Sequence, residues 1–537
     1  MKRKITSLVL TACLLVTAAC SGKLNDTGNT GDTGTNAAYN YRETIPNAYS
    51  PMDADANESE NWRYVHLDPS EEYLTAAESP FKSVATSPLS TFSADVDTAS
   101  YSNMRRMLSG GRLPTGTRIE ELVNYFSYDY PAPDIGSEHP FSISAEISIC
   151  PWEPTHLLAM IGIQGMELES TADIANNIVF LIDVSGSMDS PERLPLVKES
   201  MKLMFGNLSE NDVISIVTYA GSDRVIADSI PGSNTAILIS LIDNLSASGS
   251  TAGARGIRTA YELAAKNFIE GGNNRIILAT DGDFNVGESS VDALVSLVES
   301  ERDKGIFISV LGFGMDNLKD NRMKSIASNG NGNYAYIDTL QEAQKVLVDE
   351  FDSTMFAIAK DVKLQVEFNP QTISSYRLIG YDTRRLENED FNNDQKDAGD
   401  IGSGHSVTVF YELVLVGSDE GDEGSDLVDP LRYSELVATG SSDFFTVKVR
   451  YKAPDGDESM LTELSADAEL FSEASSLDFM FASAVAEFGL IITDSDYMGI
   501  ASLSNVLERA EIGLGEDAFG LRAEFLGIVA KYGDLIA

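Results

Sequence analysis

Between residue 176 and about residue 350, short apolar runs alternate with stripes of apolar residues at helical spacing. No other feature constrains the fold as strongly. Ile178-Val179-Phe180-Leu181-Ile182 is apolar without a break, as expected of a strand covered on both faces. Val213 to Tyr219, Ile276 to Ala279 and Ile306 to Leu311 read the same way. Between them, Leu194, Val197, Met201, Met204 and Leu208 fall on one helix face, and Ile257, Ala260, Tyr261, Ala264 and Phe268 on another. Buried strands separated by helices of this length predict an α/β fold with a doubly wound, mainly parallel sheet and flanking helices.

Such sheets bind ligands outside the carboxyl ends of their strands. There the chain places Asp183-Val184-Ser185-Gly186-Ser187-Met188, directly after the first apolar run. Thr280-Asp281-Gly282-Asp283 leaves a later strand at the same edge, and Ser250-Thr251 precedes the helix that carries Ile257. Two carboxylates and three hydroxyls from chain-distant segments form a set of hard oxygen donors. That set suits Mg²⁺, with Mn²⁺ or Ca²⁺ as rivals. Neutral hydroxyls leave the ion with residual positive charge, and an acidic side chain from a protein partner would complete both the coordination and the charge balance.

Asp183-x-Ser185-x-Ser187, Thr251 and Asp281 together resemble the metal ion-dependent adhesion site of the von Willebrand factor type A domain. The resemblance implies that Ser185, Ser187 and Thr251 contact the ion, and that Asp183 and Asp281 do so directly or through water. Pro88 to Tyr130 and Ser475 to Tyr532 look like the modules that flank this domain in a group of bacterial lipoproteins. With them the resemblance covers most of the mature chain.

The N-terminus reads as a targeting segment. Lys2, Arg3 and Lys4 precede the apolar stretch Ile5 to Ala19, and Ala18-Ala19 lead into Cys20-Ser21-Gly22. This resembles a lipoprotein signal with Cys20 as the lipidated residue, although Thr17 stands where the family usually has Leu. Residues 21–60, rich in Asn, Thr, Gly, Asp and Ala, read as a flexible tether. The remaining divisions expected are a flanking module over 61–170 whose strands join a β-sandwich, the type A domain over 171–352, a β-rich module over 353–465 and a helical module over 466–537. Val362 to Phe368 alternates as a strand should, and Leu477, Met480, Phe481, Ala484, Val485 and Phe488 recur at helical spacing. Pro88 to Asp97 reads as a half-buried strand, Ser100 to Leu108 and Arg118 to Phe126 as helices. Asp95 and Asp97 read as strand-edge carboxylates rather than as a second metal site.

A net charge of -45 excludes nucleic acid as a partner, because phosphate contacts would be repelled. With Cys20 lipidated, Cys150 has no partner, so no disulfide framework is expected. The four histidines, His66, His139, His156 and His405, lie far in sequence from the oxygen cluster. The chain also lacks Gly-x-Ser-x-Gly, His-Glu-x-x-His and phosphate-loop motifs. The expectation is a non-enzymatic, lipid-anchored protein of the cell envelope that docks a protein carboxylate through a divalent cation. The alternatives are a scaffold or assembly factor of an envelope complex, and a metal-assisted hydrolase.

Overall fold

The structure, a computed structural model, describes residues 62–65, 73–94, 97–134, 136–168, 174–250, 253–282, 291–314, 319–396, 398–418, 440–454 and 456–537. Cys20, His66, Asp95, Thr251 and Asp283 lie outside them, and so does all of the expected signal and tether.

In chain order the described residues begin with an antiparallel pair, β1 (Trp62–Val65) and β2 (Tyr73–Ala76). Strands β3 (Lys82–Ser83) and β4 (Leu89–Ser93) follow, then helices α1 (Ala99–Ser109) and α2 (Ile119–Val123). An antiparallel pair, β5 (Phe141–Ile149) and β6 (Leu157–Gly165), completes this part.

The α/β region runs through β7 (Asn176–Asp183), α3 (Leu194–Met204), β8 (Val213–Tyr219), β9 (Asp223–Pro231), α4 (Thr235–Asp243) and α5 (Gly253–Lys266). It continues with β10 (Asn273–Thr280), α6 (Val291–Arg302), β11 (Ile306–Phe313), α7 (Asp320–Asn329), β12 (Tyr334–Ile337), α8 (Leu340–Gln344) and α9 (Phe351–Met355). Its six strands form one sheet in the order β12-β11-β10-β7-β8-β9. All neighbours are parallel except β9, which runs antiparallel at the edge beside β8.

Both faces of this sheet are covered, which is why β7 and β10 are buried at every position. Val179 and Leu181 face the core closed by Ile257, Ala260 and Ala264 of α5, with Leu294 and Met323. Ile178, Phe180 and Ile182 face the opposite core, closed by Leu194, Val197 and Met201 of α3, with Leu238 and Ile242. Both predicted helical stripes are core-facing. Leu208, past the end of α3, still packs partly buried against that helix's core, whereas Phe268, past the end of α5, is 40% exposed.

The rest of the β structure is a two-sheet sandwich. It uses β13 (Ala357–Phe368), β14 (Ile373–Ile379), β15 (Ile401–Gly402), β16 (Ser406–Leu415), β17 (Phe445–Lys452) and β18 (Ser459–Ala466). One sheet has the order β15-β13-β17-β18, with β4 also paired to β13; the other has the order β3-β14-β16-β6-β5. Ile147, Ile161, Leu364, Val366, Val409 and Val447 share one core between them. Strands β3 to β6 of the N-terminal part thus enter the sandwich. β4 departs from its half-buried pattern, since Ser90 to Ser93 are all buried. Backbone bonds from Ser93 to Arg384 and from Leu386 to Thr91 wrap it on its outer side.

Three helices close the chain: α10 (Leu477–Ile492), α11 (Leu503–Ile512) and α12 (Leu521–Ile536). They share a core with α1 and α2, where Phe126 meets Phe481 and Phe525 edge-on. Leu158, Met160 and Phe410 on the outer face of the sandwich floor this core. Leu477 belongs to the predicted stripe of α10 but is 52% exposed, because the helix reaches the core only from Phe479 onward. No helix among the described residues is long and apolar enough to cross a membrane.

Candidate functional site

Strand β7 delivers Asp183 to the carboxyl edge of the sheet as a fully buried residue. Its Oδ1 accepts a hydrogen bond from the Ser185 backbone amide at 2.8 Å. Its Oδ2 is buried and has no partner at ordinary hydrogen-bond geometry, although the Tyr219 hydroxyl is close enough to stabilise the carboxylate weakly. After Ser185 the chain turns through a short 3₁₀ segment, Gly186–Met188, which brings the Ser185 and Ser187 hydroxyls to 2.9 Å from each other. Ser185 is buried and Ser187 exposed, so the hydroxyl pair runs from the floor of the site to its mouth.

This loop is held by its neighbours. The Val184 amide donates to the Tyr219 carbonyl at the end of β8, Gly186 donates to Gly249, and Ser248 donates to Val184. Gly186 approaches so closely that a Cβ there would lie 3.2 Å from the Gly249 carbonyl oxygen, and Gly249 itself has a φ of +84°. Residues 248–250 therefore run beside the Asp183 loop immediately before Thr251.

Ala279 of β10 is the register partner of Ile182, so the residues just past both strands emerge side by side. Asp281 emerges there and is also buried. Its Oδ2 lies 3.4 Å from Nη1 of Arg193, which also donates to the Ser187 carbonyl. Gly282 follows with a φ of +96°, and its amide donates to the Thr280 hydroxyl at 3.2 Å.

Burial, followed by a smaller push from the Asp281 charge, raises the Asp183 carboxyl to about 6 against the hydrogen bonds from Ser185 and a weaker one from Tyr219. Burial first, and then the Asp183 charge, holds the Tyr219 phenol well above its ordinary value. Two buried carboxylates beside paired hydroxyls, with no full counter-charge for Asp183, fit a divalent cation. The donors are all oxygens, as Mg²⁺, Mn²⁺ and Ca²⁺ require. Among the described residues no three His, Cys, Asp or Glu side chains cluster to hold a metal, so this set depends on its hydroxyls.

The structure brings together Asp183, Ser185, Ser187 and Asp281. Arg193 and Tyr219 also belong to the site; Tyr219 ends a strand legible in the sequence, whereas no local pattern marks Arg193. Asp97 serves a different purpose: it accepts from the Tyr334 amide at 3.1 Å and pairs with Arg384 at 2.9 Å. Of the histidines, His139 meets the Tyr451 hydroxyl and His156 binds Glu412 at 2.6 Å. Burial lowers His405 to about 4.

A second group of buried charges links distant segments. Arg105 on α1 donates to Asp338, to Glu342 on α8 and to Glu524 on α12. Arg118 pairs with Glu121 and with Asp320 of α7, and Lys324 also reaches Glu121 at 2.8 Å. These cations hold Glu121 well below its ordinary value despite its burial.

Three family models match the chain. The von Willebrand factor type A domain matches residues 177–350, a von Willebrand factor model matches 68–160, and "Uncharacterized protein YfbK, C-terminal" matches 353–535. The uncharacterized protein YfbK of Escherichia coli K12 is 44% identical over 468 residues, covering 85% of this chain and 80% of that protein. The uncharacterized protein sll0103 of Synechocystis is 27% identical over 195 residues, 36% of this chain and 45% of the relative. Among solved structures, the von Willebrand factor type A protein from Catenulispora acidiphila is 16% identical, with a TM-score of 0.39 over 74% of this chain and 91% of that one. By its identity with YfbK along most of both chains, this chain belongs to the YfbK family, and the sheet that carries Asp183 and Asp281 is its von Willebrand factor type A domain.

Proposed function

We propose that this protein is a cell-envelope lipoprotein, anchored through Cys20, whose type A domain docks a carboxylate of a protein partner at a metal ion-dependent adhesion site. The observation that carries this reading is the pair of buried carboxylates, Asp183 and Asp281, gathered with the Ser185 and Ser187 hydroxyls at one sheet edge, where their mutual charge helps to raise Asp183. Thr251 is the fifth ligand in this reading. A bound divalent cation supplies positive charge and a coordination position open to the partner. The chain's own residues do the rest. Asp183 and Asp281 hold the charge in a dry pocket, the Ser185 amide orients Asp183, and Ser187 stands at the exposed rim.

The physiological ion is Mg²⁺, with Mn²⁺ or Ca²⁺ as substitutes. The reading is a grip rather than a reaction: among the described residues, His139 meets Tyr451, His156 binds Glu412 and burial lowers His405. The test is recovery of partners from membranes by the tagged chain, with and without EDTA, and by Asp183→Ala. A discrete partner that disappears in both the EDTA and the Asp183→Ala arms supports docking through the ion. Equal recovery in all arms would sink it.

A further inference from the structure

Arg193 stands at the rim of the pocket just before α3, with a side chain only 14% exposed. Its Nη1 donates to the Ser187 carbonyl and lies 3.4 Å from Asp281 Oδ2. A second element makes room for it. Gly314, just past β11, has a φ of +81°, and a Cβ there would come within 2.3 Å of Arg193 Nε and 2.5 Å of its Cγ. Loop and strand end are therefore shaped to hold one guanidinium beside the carboxylate that the docking reading assigns to the metal.

The charges show what this does. Asp183 and Asp281 together cancel a divalent ion, and Arg193 then leaves the site one charge positive. The chain as a whole carries -45, so an acidic partner meets an unfavourable field until it is close. Salt screens that field over roughly 8–10 Å, whereas a guanidinium at the rim acts at contact, where its planar fork matches a carboxylate. The same guanidinium repels the ion and competes with it for Asp281.

We propose that Arg193 is a tethered second cation of the site, which weakens metal binding and strengthens carboxylate capture. This rests on the metal-docking reading above. It makes opposite-sign demands that simple bracing of the Ser187 turn does not, because loss of a brace would weaken both steps.

The test uses the whole chain. Mn²⁺ affinity is read from the free-ion electron paramagnetic resonance signal, and acetate is then titrated into the Mn²⁺-loaded protein while water-proton relaxation follows displacement of metal-bound water. Arg193→Gln should bind Mn²⁺ roughly three- to tenfold more tightly and acetate roughly tenfold more weakly. Arg193→Lys, which keeps the charge but not the fork, should retain wild-type Mn²⁺ affinity and fall between the two for acetate. Circular dichroism confirms that both variants are folded. Weaker Mn²⁺ binding in Arg193→Gln, or unchanged acetate capture, overturns the proposal. Failure of the underlying reading shows separately: wild type would bind no Mn²⁺ saturably, or Asp183→Ala would bind it equally well.

Discussion

Asp183 and Asp382 are both aspartates whose burial favours the protonated form, and they differ in what surrounds them. Asp183 shares its pocket with Asp281 and hydroxyls, whereas Asp382 sits among protein partners, accepting from Ser79 at 2.8 Å and from Arg385 at 2.7 Å. Burial outweighs Arg385 and, with the nearby Glu120 and Glu78 charges, raises Asp382 to about 7. A carboxyl raised in the folded state favours folding when protonated. Its contribution is therefore greatest at low pH, declines as pH rises from the unfolded value toward 7, and above 7 remains as a burial penalty that Arg385 and Ser79 only partly offset. Asp382→Asn should thus stabilise the protein by on the order of 2 kcal/mol at pH 8 and by much less at pH 5, measured by chemical denaturation at both values. At this scale the candidate site was readable wherever spacing was local. Asp183, Ser185 and Ser187 alternate within one loop, and Asp281 ends an apolar run. Tyr219 was readable only as the last residue of a predicted strand, and Arg193 was not readable, because it lies in the turn before α3 and only the folded loop brings it to Asp281.

For the elements, legibility followed burial geometry. Strands covered on both faces announce themselves as unbroken apolar runs, and β7 and β10 are such strands. β4 did not, because its Ser90, Thr91 and Ser93 are buried by hydrogen-bonded chain rather than by apolar side chains. Helix α10 was visible as a periodic stripe, but the stripe understated it. From Phe481 to Leu490 every residue is buried, because helices and the sandwich surround it. Phe481 lies edge-on to Phe126 at 4.8 Å and to Phe525 at 5.6 Å between ring centres. Phe481→Ala should therefore destabilise by about 3–5 kcal/mol in equilibrium unfolding. A loss below about 1 kcal/mol would show that this core is not shared between the chain's two ends.

Across the whole molecule, buried ion pairs tie the type A domain to its flanks, and these pairs were illegible because their partners are far apart in sequence. Arg105 alone joins α1 to Asp338, Glu342 and Glu524. Removing it leaves Glu342, nearly fully buried, with its neighbouring carboxylates and no guanidinium. Arg105→Met should destabilise by about 3–5 kcal/mol and split the calorimetric transition, with the helices melting apart from the α/β sheet. A single unshifted transition would show that the network does not couple them.

The docking function requires Asp183 and Asp281 to hold a divalent cation between them. Isothermal titration of Mg²⁺ into the full chain tests it most directly. Saturable binding of one ion per chain is expected, abolished in Asp183→Ala and in Asp281→Ala while both variants remain folded. Absence of saturable binding in the wild type, or binding that survives both substitutions, would contradict it.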